Sequence, residues 1–150
     1  MPLQTWFAHS RPQPGAPGLC TLTVSPDQWR RVAQDFAAAA GRLLAFWASA
    51  DERGTPTIRA AFLAERRGLL LSVPLARPEI PYPGIGDLFP AAVRMQRAIA
   101  DLTGLRSTDA DTRPWLRHAA WPADYRPLID PPQAAPSPQA RLDDYAFVRV

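Results

Sequence analysis

Residues 89–105 read FPAAVRMQRAIADLTGL, and this stretch forms the best-delimited helix that the sequence predicts. Pro90 falls within the first turn, where its missing N–H costs nothing, and Asp87 just upstream can cap the helix. Gly104 ends the helix, because a glycine commonly takes the left-handed conformation after the last turn. Nothing in the stretch has the look of a catalytic group, so its distinctiveness calls for a structural reason.

The spacing of apolar residues gives this helix two faces. The predicted buried stripe consists of Ala92, Met95, Ile99 and Leu102, with Leu88 and Phe89 anchoring the entry. Arg94, Arg97 and Asp101 fall on the opposite side. Arg97 and Asp101 are four residues apart, a spacing at which opposite charges meet on a helix surface.

Three strand-length apolar runs precede the helix. They cover residues 42–49, 57–64 and 68–75, and polar, turn-like residues separate them, which predicts an antiparallel meander. Arg59 sits among apolar neighbours in the middle run, which fits a sheet with one face in water. Residues 75–87, LARPEIPYPGIGD, are too rich in proline for a helix or a central strand, and we expect a stiff, extended connection there.

A second helix is predicted in the N-terminal half of the chain. Ser25 and Gln28 form a capping box, Pro26 suits the first helical position, and Gly41 ends the helix. Its apolar stripe comprises Trp29, Val32, Ala33, Phe36 and Ala40. The preceding residues 19–24, LCTLTV, have the alternation typical of a short strand.

Composition divides the chain into three parts. Residues 1–18 are rich in proline and glycine without periodicity and are interpreted as an N-terminal arm, residues 19–128 as one domain, and residues 129–150 as a Pro/Ala-rich linker with a docking tail. The predicted fold class is α+β: a small, mostly antiparallel sheet of three to four strands with two main helices packed on it, followed by an irregular Pro/Trp-rich segment. A chain of 150 residues is long enough for one domain with a proper core.

Charge, cysteine content and the lack of long apolar stretches indicate the cellular compartment of the protein. All seventeen basic residues are arginines, scattered singly or in pairs, and the net charge is +3. A single cysteine, Cys20, excludes an internal disulfide and indicates a reducing compartment. No stretch approaches the roughly 18 apolar residues that span a bilayer, and the N-terminus lacks the layout of a signal peptide. These features predict a cytoplasmic protein.

Candidate catalytic and metal-binding groups are sparse. His9 and His118 lie far apart, and neither has a cysteine or carboxylate at a metal-ligand spacing. Cys20 lies in a strand-like run and is expected to be a packed thiol rather than a nucleophile. Asp109 and Asp111 could pair in space, although a solvated turn is the default for such a polar loop. The sequence therefore predicts no catalytic residue, no metal site and no bound cofactor.

Aromatic and arginine residues alternate in residues 112–128, TRPWLRHAAWPADYRPL. Trp115, Trp121 and Tyr125 could form a stacking platform for nucleic-acid bases with help from arginine. Tryptophan and arginine beside proline more often mark a protein–protein contact, and this is the favoured interpretation. An Arg/Trp-rich nucleic-acid-binding module remains the alternative.

Residues 89–105 resemble the hallmark segment of the 30-kDa subunit family of complex I, the respiratory NADH dehydrogenase. They are closest to the N-terminal domain of formate-hydrogenlyase-type hydrogenase large subunits. The family pattern reads approximately FPAA-x3-E-R-E-x2-D-L-x-G, and the matching positions are Phe89, Pro90, Ala91, Ala92, Arg97, Asp101, Leu102 and Gly104. Gln96 and Ala98 stand at the two glutamate positions. Residues 112–128 are similar to the family's trailing segment, and DYAFVRV (144–150) is similar to its Y-x-F-x2-V junction.

The resemblance implies a non-catalytic, cofactor-free part of an oxidoreductase complex. Its partner would be a large catalytic subunit, 49-kDa-like in an NADH dehydrogenase or [NiFe]-hydrogenase-like in a membrane-bound hydrogenase. The chain would bind no nucleic acid and would reach the inner membrane only through that complex. The residues expected to bind the partner are Arg94, Arg97, Asp101, Arg113, Trp115, Arg117, Trp121, Tyr125, Tyr145 and Phe147.

Overall fold

A computed structural model of the chain describes residues 3–50, 54–117 and 121–130. Its helices and strands, in chain order, are α1 (Gln4–His9), β1 (Arg11–Pro12), β2 (Leu19–Thr23), α2 (Pro26–Ala38), β3 (Arg42–Ala50), β4 (Pro56–Ala64), β5 (Arg67–Pro74) and α3 (Ala92–Thr103). The α+β fold class is confirmed.

The strands form one mixed sheet in the order β1-β2-β5-β4-β3. The predicted meander β3-β4-β5 is antiparallel throughout, and β1 pairs with β2 antiparallel. β2 lies parallel to β5, a pairing that the sequence did not indicate. The described sheet therefore has five strands rather than three to four.

The described residues form three helices rather than the two predicted, because α1 is an additional helix. It lies in residues 1–18, where abundant proline and glycine hid its short pattern. Leu3 and Phe7 belong to the core, and the Phe7 ring meets that of Phe36 edge-on at 6.0 Å between centroids. β1 is only two residues long, and Pro12 fits there because an edge strand tolerates a missing N–H.

Helix α2 supplies the centre of the core. Trp29, Val32, Ala33 and Phe36 are fully buried, as predicted, and the capping box of Ser25 and Gln28 is present. The Trp29 ring stacks on Phe46 of β3 at 5.2 Å between centroids. Ala40 was assigned wrongly to the stripe, because the helix ends at Ala38 and Ala40 is an exposed residue with φ of 52°.

Helix α3 begins and packs differently from the prediction. Asp87 does not cap it; its carboxylate instead pairs with Arg30 of α2 at 2.5 Å. The residues of α3 that are buried are Ala92, Gln96, Ile99 and Thr103, whereas Met95 and Leu102 are half-buried. Two polar side chains can occupy the buried stripe because both find hydrogen-bond partners there. Gly104, with φ of 76°, ends the helix as predicted.

No helix in the described ranges is long and apolar enough to cross a bilayer.

Candidate partner-binding surface

The outer face of α3 holds the segment that follows it. Asp101 Oδ2 accepts hydrogen bonds from the backbone N–H groups of Trp115, Leu116 and Arg117, at 2.6, 2.7 and 3.2 Å. Three donors converging on one carboxylate oxygen fix the local backbone conformation, and charge-assisted hydrogen bonds of this kind are stronger than neutral ones. Asp101 therefore positions the aromatic segment.

Arg97 holds the same segment one turn earlier. Its guanidinium donates to the carbonyl oxygens of Arg113 and Pro114, at 2.5 and 2.8 Å, and lies 3.4 Å from Asp111 Oδ2. Only 12% of its side chain is exposed. Arg97 and Asp101 do not pair with each other; each contacts the backbone of the trailing segment instead.

Asp111 and Arg113 form a local ion pair at the start of this segment. The Arg113 guanidinium donates to both carboxylate oxygens of Asp111, at 2.9 and 2.7 Å. These side-chain hydrogen bonds hold the pKa of the Asp111 carboxyl below its ordinary value. The Arg113 side chain is largely exposed, so the pair lies on the rim of the surface.

Trp115 is the most prominent side chain of this surface. The Cζ atoms of Arg94 and Arg97 lie 4.8 and 5.6 Å from its ring centroid, within the range of cation–π attraction. Trp115 and its neighbour Leu116 are each 47% exposed, and Arg94 is exposed as well. The exposed surface thus combines two apolar side chains with the Arg94 cation, and α3 fixes it in place.

Trp121 and Tyr125 form a second aromatic pair further along the segment. Their rings are perpendicular, with 5.9 Å between centroids, and the Arg117 guanidinium donates to the carbonyl oxygen of Pro122 beside them. A polar cleft of about 290 Å³ separates α3 from this part of the chain. Tyr145 and Phe147, the other two expected contacts, lie outside the described residues.

A buried polar network fixes the proline-rich connection to α3. Gln96 Oε1 accepts a hydrogen bond from the Ile85 N–H at 2.9 Å, and its Nε2 donates to Asp109 Oδ2 at 2.5 Å. The same Asp109 oxygen accepts the Gly86 N–H at 2.9 Å. A Cβ atom at Gly84 would lie 1.8 Å from the Asp109 carboxylate, so only glycine fits. The PGIGD segment therefore packs around the Asp109 carboxylate, and Asp109 is not part of a solvated turn.

Sequence reasoning missed the structural role of Gln96 and Asp109. The two closely spaced glycines of PGIGD were the available signal, because glycine in an extended segment often marks the close approach of another group. The partner, Asp109, lies more than twenty residues away in the sequence, and no local pattern identifies it.

No group of three or more histidine, cysteine or acidic residues capable of holding a metal occurs in the described part of the chain. His9 is exposed, and its Nδ1 lies 2.7 Å from the Thr5 carbonyl oxygen. Cys20 lies half-buried in β2.

Comparison with solved structures finds chains of similar fold. One is a trypsin-resistant fragment of Nqo5, which superposes with a TM-score of 0.58 at 12% identity, covering 75% of this chain and 94% of that one. Another belongs to the membrane-bound sulfane sulfur reductase, an archaeal respiratory membrane complex, with a TM-score of 0.58 at 12% identity, covering 81% and 73%. No protein-family model matches the sequence, and a search of curated proteins finds no match. The chain has the fold of the Nqo5 fragment, and the resemblance of its sequence to the complex I 30-kDa subunit family predicted this fold.

Proposed function

We propose that the chain is a non-catalytic, cofactor-free subunit or domain that docks on the large catalytic subunit of an oxidoreductase complex and supports it. The complex is a complex I-like NADH dehydrogenase or a membrane-bound [NiFe]-hydrogenase. The chain acts in the cytoplasm and reaches the inner membrane only through that complex. The observation that carries the proposal is the fold shared with Nqo5 together with the exposed aromatic surface that α3 holds.

The rigidity of the surface supports a docking role. Trp115 stands on a backbone held by Asp101 and Arg97, so little conformational freedom is lost when a partner covers it. Tryptophan and arginine are the residues most enriched among those that dominate binding energy at protein interfaces. In this proposal Arg94, Trp115, Arg117, Trp121 and Tyr125 contact the partner.

The remaining residues of the predicted site have supporting or adjoining roles. Arg97, Asp101 and Arg113 hold the aromatic segment in its docking conformation. Tyr145 and Phe147 extend the contact in the proposal, because aromatic side chains are better accommodated against a partner than in water.

Co-purification from the native cells tests the proposal. The tagged full chain is expected to recover a large subunit that mass spectrometry identifies as 49-kDa-like or [NiFe]-hydrogenase-like. Trp115→Ala should lower that recovery at least tenfold, which corresponds to a loss of about 1.4 kcal/mol or more. Ile80→Ala is the matched control, since Ile80 is similarly exposed, at 51%, on the proline-rich connection.

Three results separate the possibilities. Loss of the large subunit on removal of residues 141–150 places the C-terminal tail in the contact, whereas recovery without the tail assigns the contact to the Trp115–Tyr125 segment. Nucleic acid in the eluate, without a large subunit, would overturn the proposal in favour of the nucleic-acid-binding alternative. Binding of that kind should weaken steeply with added salt.

A further inference from the structure

The meander β3-β4-β5 has a second face that lies away from the core. Its core side carries Phe46, Phe62 and Leu71, which are buried beneath the helices. Strand alternation points the neighbouring side chains to the opposite side. We call this second side the open face and define it by Trp47, Arg59, Ala61, Leu63, Leu70 and Ser72.

The open face is less polar than a sheet face in water, whose outward side chains are usually polar. Its polar members are Arg42, Ser49 and Thr57, besides Arg59 and Ser72. Here Trp47 is 37% exposed, and Leu63 and Leu70 are half-buried on a side whose described strand residues include no acidic one. Leu44, at the bulge between Leu43 and Ala45 on the same strand as Trp47, is 49% exposed. Exposed apolar residues that lie together on a protein surface are commonly found at interaction sites.

One cation stands at the centre of the open face. Arg59 lies directly between Trp47 on β3 and Ser72 on β5 in the strand register. Its Nε donates to Ser49 Oγ and one terminal nitrogen donates to Ser72 Oγ, both at 2.8 Å. No carboxylate among the described residues pairs with it. The serines orient the guanidinium without neutralising its charge.

We propose that the large subunit covers the open face and presents to it a carboxylate flanked by apolar side chains. This inference rests on the proposed function and adds a second contact, separate from the Trp115 surface. The charge on Arg59 requires an anion once water is excluded, because an unpaired buried charge is strongly unfavourable. A planar guanidinium held in a fixed orientation suits a carboxylate, which it can bind through two parallel hydrogen bonds.

The test uses the same native complex, recovered with the tagged full chain. Arg59→Gln and Trp47→Ala should each lower recovery of the identified large subunit at least tenfold, and Arg59→Lys should restore part of it. Arg31→Gln, an exposed position on α2, is the control and should leave recovery unchanged. Circular dichroism of each purified variant checks that the sheet is intact.

A second measurement needs no substitution. Hydroxyl-radical footprinting of the wild-type complex should show Trp47 protected from oxidation relative to the isolated chain. Full recovery with Arg59→Gln and Trp47→Ala, or an unprotected Trp47, would overturn the inference and leave the proposed function standing. If the wild-type chain recovers no large subunit, the proposed function fails, and the inference fails with it.

Discussion

Gln96 shows how a polar residue can serve as a core residue. It is 3% exposed, and its amide oxygen and nitrogen are both used, by the Ile85 N–H and the Asp109 carboxylate. An amide suits this position because one end must accept a hydrogen bond and the other must donate one. An ionised carboxylate could accept the hydrogen bond from the Ile85 N–H but could not donate one to Asp109.

Gln96→Glu is expected to make stability depend on pH. The introduced carboxyl would face the Asp109 carboxylate in a buried site, so its pKa should rise in the folded state. An acid with a raised folded-state pKa binds more protons when folded, so stability falls as pH rises above the ordinary glutamate value of about 4.3. The variant should match wild type near pH 4 and lose about 1.4 kcal/mol per pH unit just above it.

Urea unfolding between pH 4 and pH 8 measures this effect. Gln34→Glu, at an exposed position on α2, should show no such trend relative to wild type. A Gln96→Glu profile parallel to that of wild type would mean that the two carboxyl groups are not in contact.

Asp111 gives the opposite pH dependence. Its pKa is lowered, chiefly by hydrogen bonds from Arg113, so the ion pair stabilises the fold above the ordinary aspartate value of about 3.9. That contribution is lost as pH falls below this value toward the folded-state pKa. The urea midpoint of Asp111→Asn should therefore lie below wild type at pH 7 and approach it at pH 3. Asp124→Asn is an exposed control, and equal gaps at both pH values would contradict the assignment.

At the level of elements, α3 acts as a clamp on the segment that follows it. Asp101→Ala removes the acceptor of three backbone N–H groups and should lower the free energy of unfolding by about 1–3 kcal/mol. Hydrogen exchange at Trp115, Leu116 and Arg117 should accelerate, whereas Asp101→Asn, which keeps one acceptor oxygen, should have a smaller effect. Unchanged exchange in the alanine variant would show that the segment is held elsewhere.

Local sequence patterns predicted the helix features that depend only on residues close together in the chain. The capping box at Ser25 and the stripe of α2 follow from spacing alone, and Gly104 follows from the left-handed conformation that ends a helix. The buried face of α3 did not follow, because Gln96 and Thr103 are buried through hydrogen bonds. The partner of Gln96 lies in a loop that only the tertiary fold brings near.

The candidate site was predictable in outline but not in the roles of its members. The sequence analysis named Arg97, Asp101 and Trp115 as partner-binding residues, and the structure places them in one region of the fold. Spacing alone suggested that Arg97 and Asp101 pair with each other. Each side chain instead forms hydrogen bonds with backbone groups of the segment that follows α3. That segment is irregular, so its backbone N–H and C=O groups need hydrogen-bond partners outside a regular helix or strand.

For the whole molecule, Trp29 joins the helix layer, the sheet and the proline-rich connection. It is fully buried, stacks on Phe46, and donates from Nε1 to the Pro83 carbonyl oxygen at 2.7 Å. Trp29→Phe keeps an aromatic ring but leaves that oxygen unpaired and the site underfilled. We expect a loss of about 2–4 kcal/mol in the free energy of unfolding.

Thermal and urea unfolding of Trp29→Phe should be compared with Trp6→Phe. Trp6 also donates from Nε1, to Asp35 at 2.7 Å, but it is only half-buried, so its replacement should cost less. Equal losses for the two variants would show that attachment of the proline-rich connection adds nothing to stability.

The parallel pairing of β2 with β5 has a consequence for the order of folding. It joins Cys20 to Leu69, residues 49 positions apart (69 − 20), whereas β3, β4 and β5 pair with immediate neighbours in the chain. Closing the longer loop costs more chain entropy, so the hairpins have the kinetic advantage. On the ribosome, β2 must wait for β5 to be synthesised. Until then α1 and α2 have no sheet on which to bury their aromatic residues, and the first forty residues depend on the next thirty-five.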